Sequence, residues 1–265
     1  MATDTATTRF EIGRVIGDTF EVLGRNLVPF LLVALVLAGV PALVQTLIMP
    51  QRAALMTGGA NWGNWALMGS VFSIIKVILS VGMQGALVTG AIASLNGGRV
   101  DLGDMLERGL SAALPLFGLA ILYGFGLLLG LVLLIIPGLI LLVIWSVAVP
   151  SLVIERTGVF GAFSRSSDLT RGRRWAIFGL MVVYAVLAWI VTAIGGALML
   201  AFSGGLGAIA QGGSSFIFSP VSSIFNAVVA TVLGALSASG VAALYYQLRL
   251  TKEGVAPQAL LDTFS

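Results

Sequence analysis

The sequence contains no cysteine and no histidine, and only 9% of its 265 residues are charged. Without cysteine there are no disulfides, no thiolate metal sites and no thiol nucleophile. Without histidine the usual general base and the commonest metal ligand are missing. Soluble domains carry about 25% charged residues, so most of this surface must meet a solvent other than water. The net charge is +3, spread over fourteen Lys and Arg, too few for a nucleic-acid interface. What the chain does have is apolar bulk: 58% hydrophobic residues and a mean hydropathy of +1.06.

These numbers predict an all-α, polytopic membrane protein forming one integral membrane domain over residues 1–265. A membrane-crossing helix needs roughly 20 apolar residues. Leu27 to Met49 is such a run, and its length, with no small-residue cleavage site after it, argues against a signal peptide. Trp65 to Leu95 is the second, interrupted only by Lys76. Leu114 to Ile154 is uncharged over about 40 residues, enough for two spans, with Pro137-Gly138 expected to make the reversal. Trp175 to Ala201 and Ser222 to Gln247 complete six, the Gly- and Ser-rich stretch Ser203 to Ser215 lying between them. The runs do not alternate, which excludes a barrel.

Charge orients this arrangement. Arg9, Arg14, Arg25, Arg99, Arg108, Arg156, Arg165, Arg171, Arg173, Arg174, Arg249 and Lys252 fall on one side, and Arg52 on the other. The positive-inside rule then places both termini in the cytoplasm.

Each pair of spans follows a segment with amphipathic helical spacing. In the first, Ile12, Val15, Ile16, Phe20, Leu23 and Leu27 form the apolar face, with Arg14–Asp18 and Glu21–Arg25 as i,i+4 pairs. In the second, Leu102, Met105, Leu106 and Leu110 are apolar and Asp101 is placed to cap the helix. In the third, Phe160, Phe163, Ser167 and Thr170 share a face. The pattern suggests three interfacial helices, each leading into a hairpin, as repeats over 10–95, 100–155 and 158–248. Such repeats could surround a pseudo-threefold axis.

Certain segments carry a resemblance. Phe10-Glu11-Ile12-Gly13 with Asp18 through Pro29, and Ile136-Pro137-Gly138 through Pro150 to Val153-Ile154-Glu155, are similar to the bacterial YciC-like inner-membrane family. So are Ala162 to Ser166 and Leu169-Thr170-Arg171-Gly172-Arg173-Arg174-Trp175. That family resembles the membrane region of glycerophosphodiester phosphodiesterases. The resemblance implies a six-helix protein of the bacterial inner membrane. It does not imply catalysis, because the phosphodiesterase chemistry belongs to a separate soluble domain using His and acidic metal ligands.

Residues with chemical potential are few. Lys76 interrupts an apolar span, where a charge costs at least about 2.5 kcal/mol. It either reaches out to the headgroups or lines a polar cavity with Gln84 and Ser80; the first reading is favoured. Arg165, Arg171, Arg173, Arg174 and Trp175 form the densest basic cluster. The positive-inside rule alone would account for it, but the same residues suit anionic lipid headgroups. No acid–base pair converges anywhere, so neither catalysis, a cofactor nor a metal is expected. Small residues at Gly82-Ala86-Gly90, at Gly126-Gly130 and at Ala227, Ala230, Gly234 and Ala238 suit close helix packing, within the chain or against a partner or second copy. The expectation is a non-enzymatic, lipid-associated or scaffolding protein; a transporter of a small or amphipathic solute is the alternative.

Overall fold

The computed structural model describes residues 10–41, 44, 62–202 and 220–254. Among these residues the structure is helical, without strands. The helices are α1 (Ile12–Arg25), α2 (Leu27–Ala34, running into a π turn at Leu35–Gly39), α3 (Trp62–Leu95) and α4 (Leu102–Ser111). There follow α5 (Ala113–Leu133), α6 (Ile135–Ile144), α7 (Ala148–Glu155), α8 (Gly158–Thr170), α9 (Arg174–Phe202) and α10 (Pro220–Glu253). Five stretches are long and apolar enough to cross a membrane, or up to six if the bent pair α1–α2 is one span. Much of the expected first span beyond residue 41, and the stretch Ser203 to Ser215, lie outside the described residues.

The three expected amphipathic segments are all helical, and each packs differently. Helix α1 meets the following helix at 79°. Its buried residues are Val15, Thr19 and Val22, whereas Phe20, expected on the apolar face, is exposed. The inward face is turned because polar groups anchor it: Thr19 shares a hydrogen bond with Tyr184 of α9, and Gln247 of α10 donates to Asp18 at 2.8 Å. Asp18 is therefore not the partner of Arg14, which lies 4.0 Å from Glu11, while Glu21–Arg25 forms as expected at 2.6 Å. Asp101 caps α4 as expected, accepting from the Gly103 and Asp104 amides at 2.6 and 3.4 Å.

Helix α4 lies along α3, and the glycines explain how. A Cβ on Gly109 would sit 2.5 Å from the Ala86 Cβ and 2.6 Å from the Gly82 carbonyl, and one on Gly90 would strike Met105. The stripe Gly82-Ala86-Gly90 thus receives a helix of the same chain. Gly126 likewise receives the Trp145 ring, and Gly130 meets the backbone of Gly138.

One expectation about the paired candidate spans needs correction, and one feature is new. The reversal between α5 and α6 is at Leu134, which is extended at φ −167° and ψ 138°, not at Pro137-Gly138. Pro137 sits in the first turn of α6, where a missing N–H has no intrahelical acceptor to lose. Helix α6 then stops at Ile144, and the chain makes a turn at Trp145–Val147 before α7 resumes. The uncharged run thus supplies two candidate crossings as expected, Ala113–Leu133 and Ile135–Glu155, with a turn inside the second. The freed backbone groups find partners on α8: Ser166 Oγ donates to the Ile144 carbonyl at 2.7 Å, and the Val147 amide donates to Ser166 Oγ at 3.2 Å. Thr170 Oγ1 adds a longer bond to the same carbonyl. Neighbouring Ser and Thr commonly resatisfy a broken span in this way. The buried face of α8 is consequently Ala162, Ser166, Leu169 and Thr170, rotated from the expected one, and Phe160 is exposed.

Helix α10 is central. In its most apolar stretch 56% of residues are buried, against 11% in α9 and 17% in α5. The main core joins Val15, Phe30, Leu87, Met105, Ile177, Tyr245 and Leu248 from six helices. A smaller cluster of Leu116, Leu119, Ala148, Leu152 and Ala162 ties α5 to α7 and α8.

Candidate functional site

The end of α8, the start of α9 and Phe10, two residues before α1, border an open cleft of about 920 Å³, lined by Phe10, Ser167, Asp168, Arg171, Gly172, Arg173, Arg174, Trp175 and Ala176. Helix α8 ends at Thr170 and α9 starts at Arg174, so the basic residues occupy the three-residue link and the first turn. Gly172 has φ 86°, a left-handed conformation that glycine adopts without cost. That turn lets Arg171 and Arg173 line the same cleft.

The arginines differ in how they are held. Arg173 is half-buried; it donates to Thr251 Oγ1 on α10, and its guanidinium stacks over the Phe10 ring at 5.5 Å. Burial pushes its pKa down from the ordinary guanidinium value, although such a group stays charged. Arg171 and Arg174 are exposed. Among the described residues, no carboxylate lies within ion-pairing distance of these arginines. Lys252 is held at the same place by donating to the Asp168 carbonyl. Trp175 is 87% exposed at the cleft margin and packs edge-on against Phe178.

Arg165, grouped with these residues by sequence, is engaged elsewhere. Its Nε donates to both carboxylate oxygens of Glu155 at 2.7 and 3.0 Å, and its Nη2 donates to Glu253 at 2.5 Å. Glu253 also accepts from Arg249 Nε at 2.9 Å, and the Tyr245 hydroxyl donates to Glu155 at 2.6 Å. Burial alone would lower the Arg165 pKa, but the hydrogen bonds and charges of Glu155 and Glu253 outweigh it and hold the pKa above its ordinary value. Two carboxylates against two guanidiniums leave this cluster neutral, and it clamps α7, α8 and α10 together. Arg249, only 7% exposed in its side chain, was visible in the sequence merely as one charge of the asymmetry. Its i,i+4 spacing to Glu253, one helical turn after Tyr245, was the available signal.

The second candidate pair, Lys76 and Gln84, is not gathered into one site. Both are half-buried on α3, separated by about 12 Å of helix axis at 1.5 Å per residue. Ile74, Ile75 and Val77 around Lys76 are exposed. Gln84 instead approaches α10, with Nε2 3.8 Å from the position of a Cβ on Gly234.

The arrangement as a whole offers a basic cleft beside an exposed indole and a neutral ion-pair clamp next to it. Comparison of the chain with protein families, with curated proteins and with solved structures found no match.

Proposed function

We propose that the chain is a non-enzymatic, multi-pass protein of the bacterial inner membrane that associates with anionic lipid and acts as a scaffold or accessory factor in membrane homeostasis. The observation carrying this reading is the cleft in which Arg171, Arg173 and Arg174 stand without carboxylate partners among the described residues, beside the exposed Trp175. Lys and Arg near an anionic surface contribute about 1 kcal/mol each, and Trp favours the headgroup level. Cytoplasmic termini follow from the charge asymmetry. Of the three interfacial helices in this reading, α1 is best supported, by its 79° turn. The likeness to YciC-like proteins agrees with this reading.

Transport is the second reading, and the break at Trp145–Val147 is the observation that favours it, since interrupted spans often form solute sites. Here, however, Ser166 and Thr170 already occupy the Ile144 carbonyl, and Trp145 is wedged between Tyr123 and Phe163 at ring distances of 5.7 and 4.7 Å. The break reads as filled.

The test is unfolding of the full chain in vesicles of zwitterionic lipid containing rising fractions of phosphatidylglycerol. Lipid association stabilises the folded chain by mass action, so the midpoint should rise with the anionic fraction and fall back with added salt. A midpoint indifferent to anionic lipid would overturn this function. Protein-dependent leakage of an entrapped small solute from the same vesicles would favour transport.

A further inference from the structure

We propose that the basic cleft takes the headgroup of a lipid that bears two phosphates, with the acyl chains running along the outer face of α9. This deepens the lipid-associated reading above and rests on it.

Charge is the first argument. Arg171, Arg173 and Arg174 line the cleft, and Lys252 is fastened to its wall through the Asp168 carbonyl. Among the described residues, Asp168 is the one carboxylate bearer lining it. One phosphodiester carries a single negative charge and would leave most of this surplus opposed only by water and salt. Two phosphates on one headgroup match it more closely. Guanidiniums also suit phosphate oxygens, because their planar donor forks bind in pairs.

Size agrees. A volume of about 920 Å³ lies at the upper end of the roughly 300–1,000 Å³ of small-molecule pockets, and a lone phosphate would fill little of it. Arg173 gives the cleft a fixed element, being tied to Thr251 and stacked on Phe10. The exposed Arg171 and Arg174 are left to close on the second phosphate.

The route for the chains distinguishes a lipid from a free phosphate. Trp175, Val182, Val186 and Trp189 are all exposed, Trp189 at 72%. Their spacings of seven, four and three residues place them on one helical face. This apolar strip starts at the cleft margin and runs along one of the least buried helices of the bundle. A headgroup seated among the arginines therefore has a continuous apolar track beside it.

The test is competitive lipid retention by the full chain in detergent micelles, read by native mass spectrometry. The probes are cardiolipin, phosphatidylglycerol at twice the molar amount to equalise phosphate, and soluble inorganic pyrophosphate. Cardiolipin should be retained about tenfold better than phosphatidylglycerol. Arg171→Gln with Arg174→Gln should erase that preference; both side chains are exposed and without ion pairs among the described residues, so the fold should persist. Arg14→Gln, on an exposed face of α1, should leave the preference intact. Equal retention of the two lipids would overturn the two-phosphate inference while leaving lipid association standing. No retention of either would overturn both. Displacement of cardiolipin by an equal concentration of pyrophosphate would show that the cleft reads a free diphosphate, and the lipid assignment would fall.

Discussion

The hydroxyl of Ser166 donates a 2.7 Å hydrogen bond to the carbonyl of Ile144, the last residue of α6, and so closes a helix end that the sequence presents as continuous. The same oxygen receives the Val147 amide. One side chain on α8 thereby satisfies both edges of the break between α6 and α7. Replacing Ser166 with Ala should lower stability by about 1–3 kcal/mol, the cost of leaving buried backbone groups short of partners. Thr192→Ala is the control, since among the described residues Thr192 bonds back to Ala188 of its own exposed helix and its loss should cost little. Unfolding midpoints of the two variants in detergent make the comparison; equal midpoints would contradict this role for Ser166.

The ion-pair clamp makes a second comparison. Arg165→Met leaves Glu155 with the Tyr245 hydroxyl and Glu253 with Arg249, and should cost about 2 kcal/mol because charged hydrogen bonds in partly buried surroundings are lost. Arg25→Met breaks an exposed pair with Glu21 and should cost at most about 0.5 kcal/mol. The raised pKa of Arg165 fixes the pH sign. Its stabilisation is fully present below the ordinary guanidinium value and is lost only as pH rises above that, so the wild-type midpoint should show no loss from this group between neutral and mildly alkaline pH.

Glycine substitutions separate packing from lipid exposure. Gly109→Ala would drive its Cβ to 2.6 Å from the Gly82 carbonyl, a backbone atom that cannot swing aside, and should cost about 1–3 kcal/mol or more. Gly124→Ala meets nothing within 4 Å and should be neutral or stabilising by up to about 1 kcal/mol. Thermal unfolding of both variants checks the contrast, and a tolerated Gly109→Ala would contradict the close approach of α4 to α3.

Lys76→Met should change the stability by less than about 0.5 kcal/mol, as for a half-buried side chain whose amine reaches toward the headgroups. A large loss of stability or of any measured activity would show instead that the lysine serves a polar interior site.

Reporter fusions test the orientation. Those at Gly98 and Gly172 should report the cytoplasm. Those at Gly59 and Gly205, which lie outside the described residues, should report the opposite side. One reversed fusion would refute the arrangement.

Apolar run length was enough to find the candidate membrane-crossing helices α3, α5, α6–α7, α9 and α10, because roughly 20 predominantly apolar residues have few alternatives to such a helix. Local chemistry also sufficed for the Asp101 cap and the Glu21–Arg25 pair, whose partners lie within four residues. The facing of α1 and α8 was not legible in the same way. Their inward residues are set by distant partners, Tyr184 and Gln247 for α1 and the Ile144 carbonyl for α8, so polar Thr19 and Ser166 are buried while Phe20 and Phe160 are exposed.

The basic cluster divides along the same line. Sequence alone determined that Arg165, Arg171, Arg173 and Arg174 lie close together, because they fall within ten residues of chain. Only tertiary structure decided that Arg165 turns to Glu155 and Glu253 while the other three line the cleft. The deciding carboxylates come from α7 and from the end of α10, the latter 88 residues further along the chain. A charge chooses its partner by distance in space and by burial, and neither quantity is written in the local order of residues.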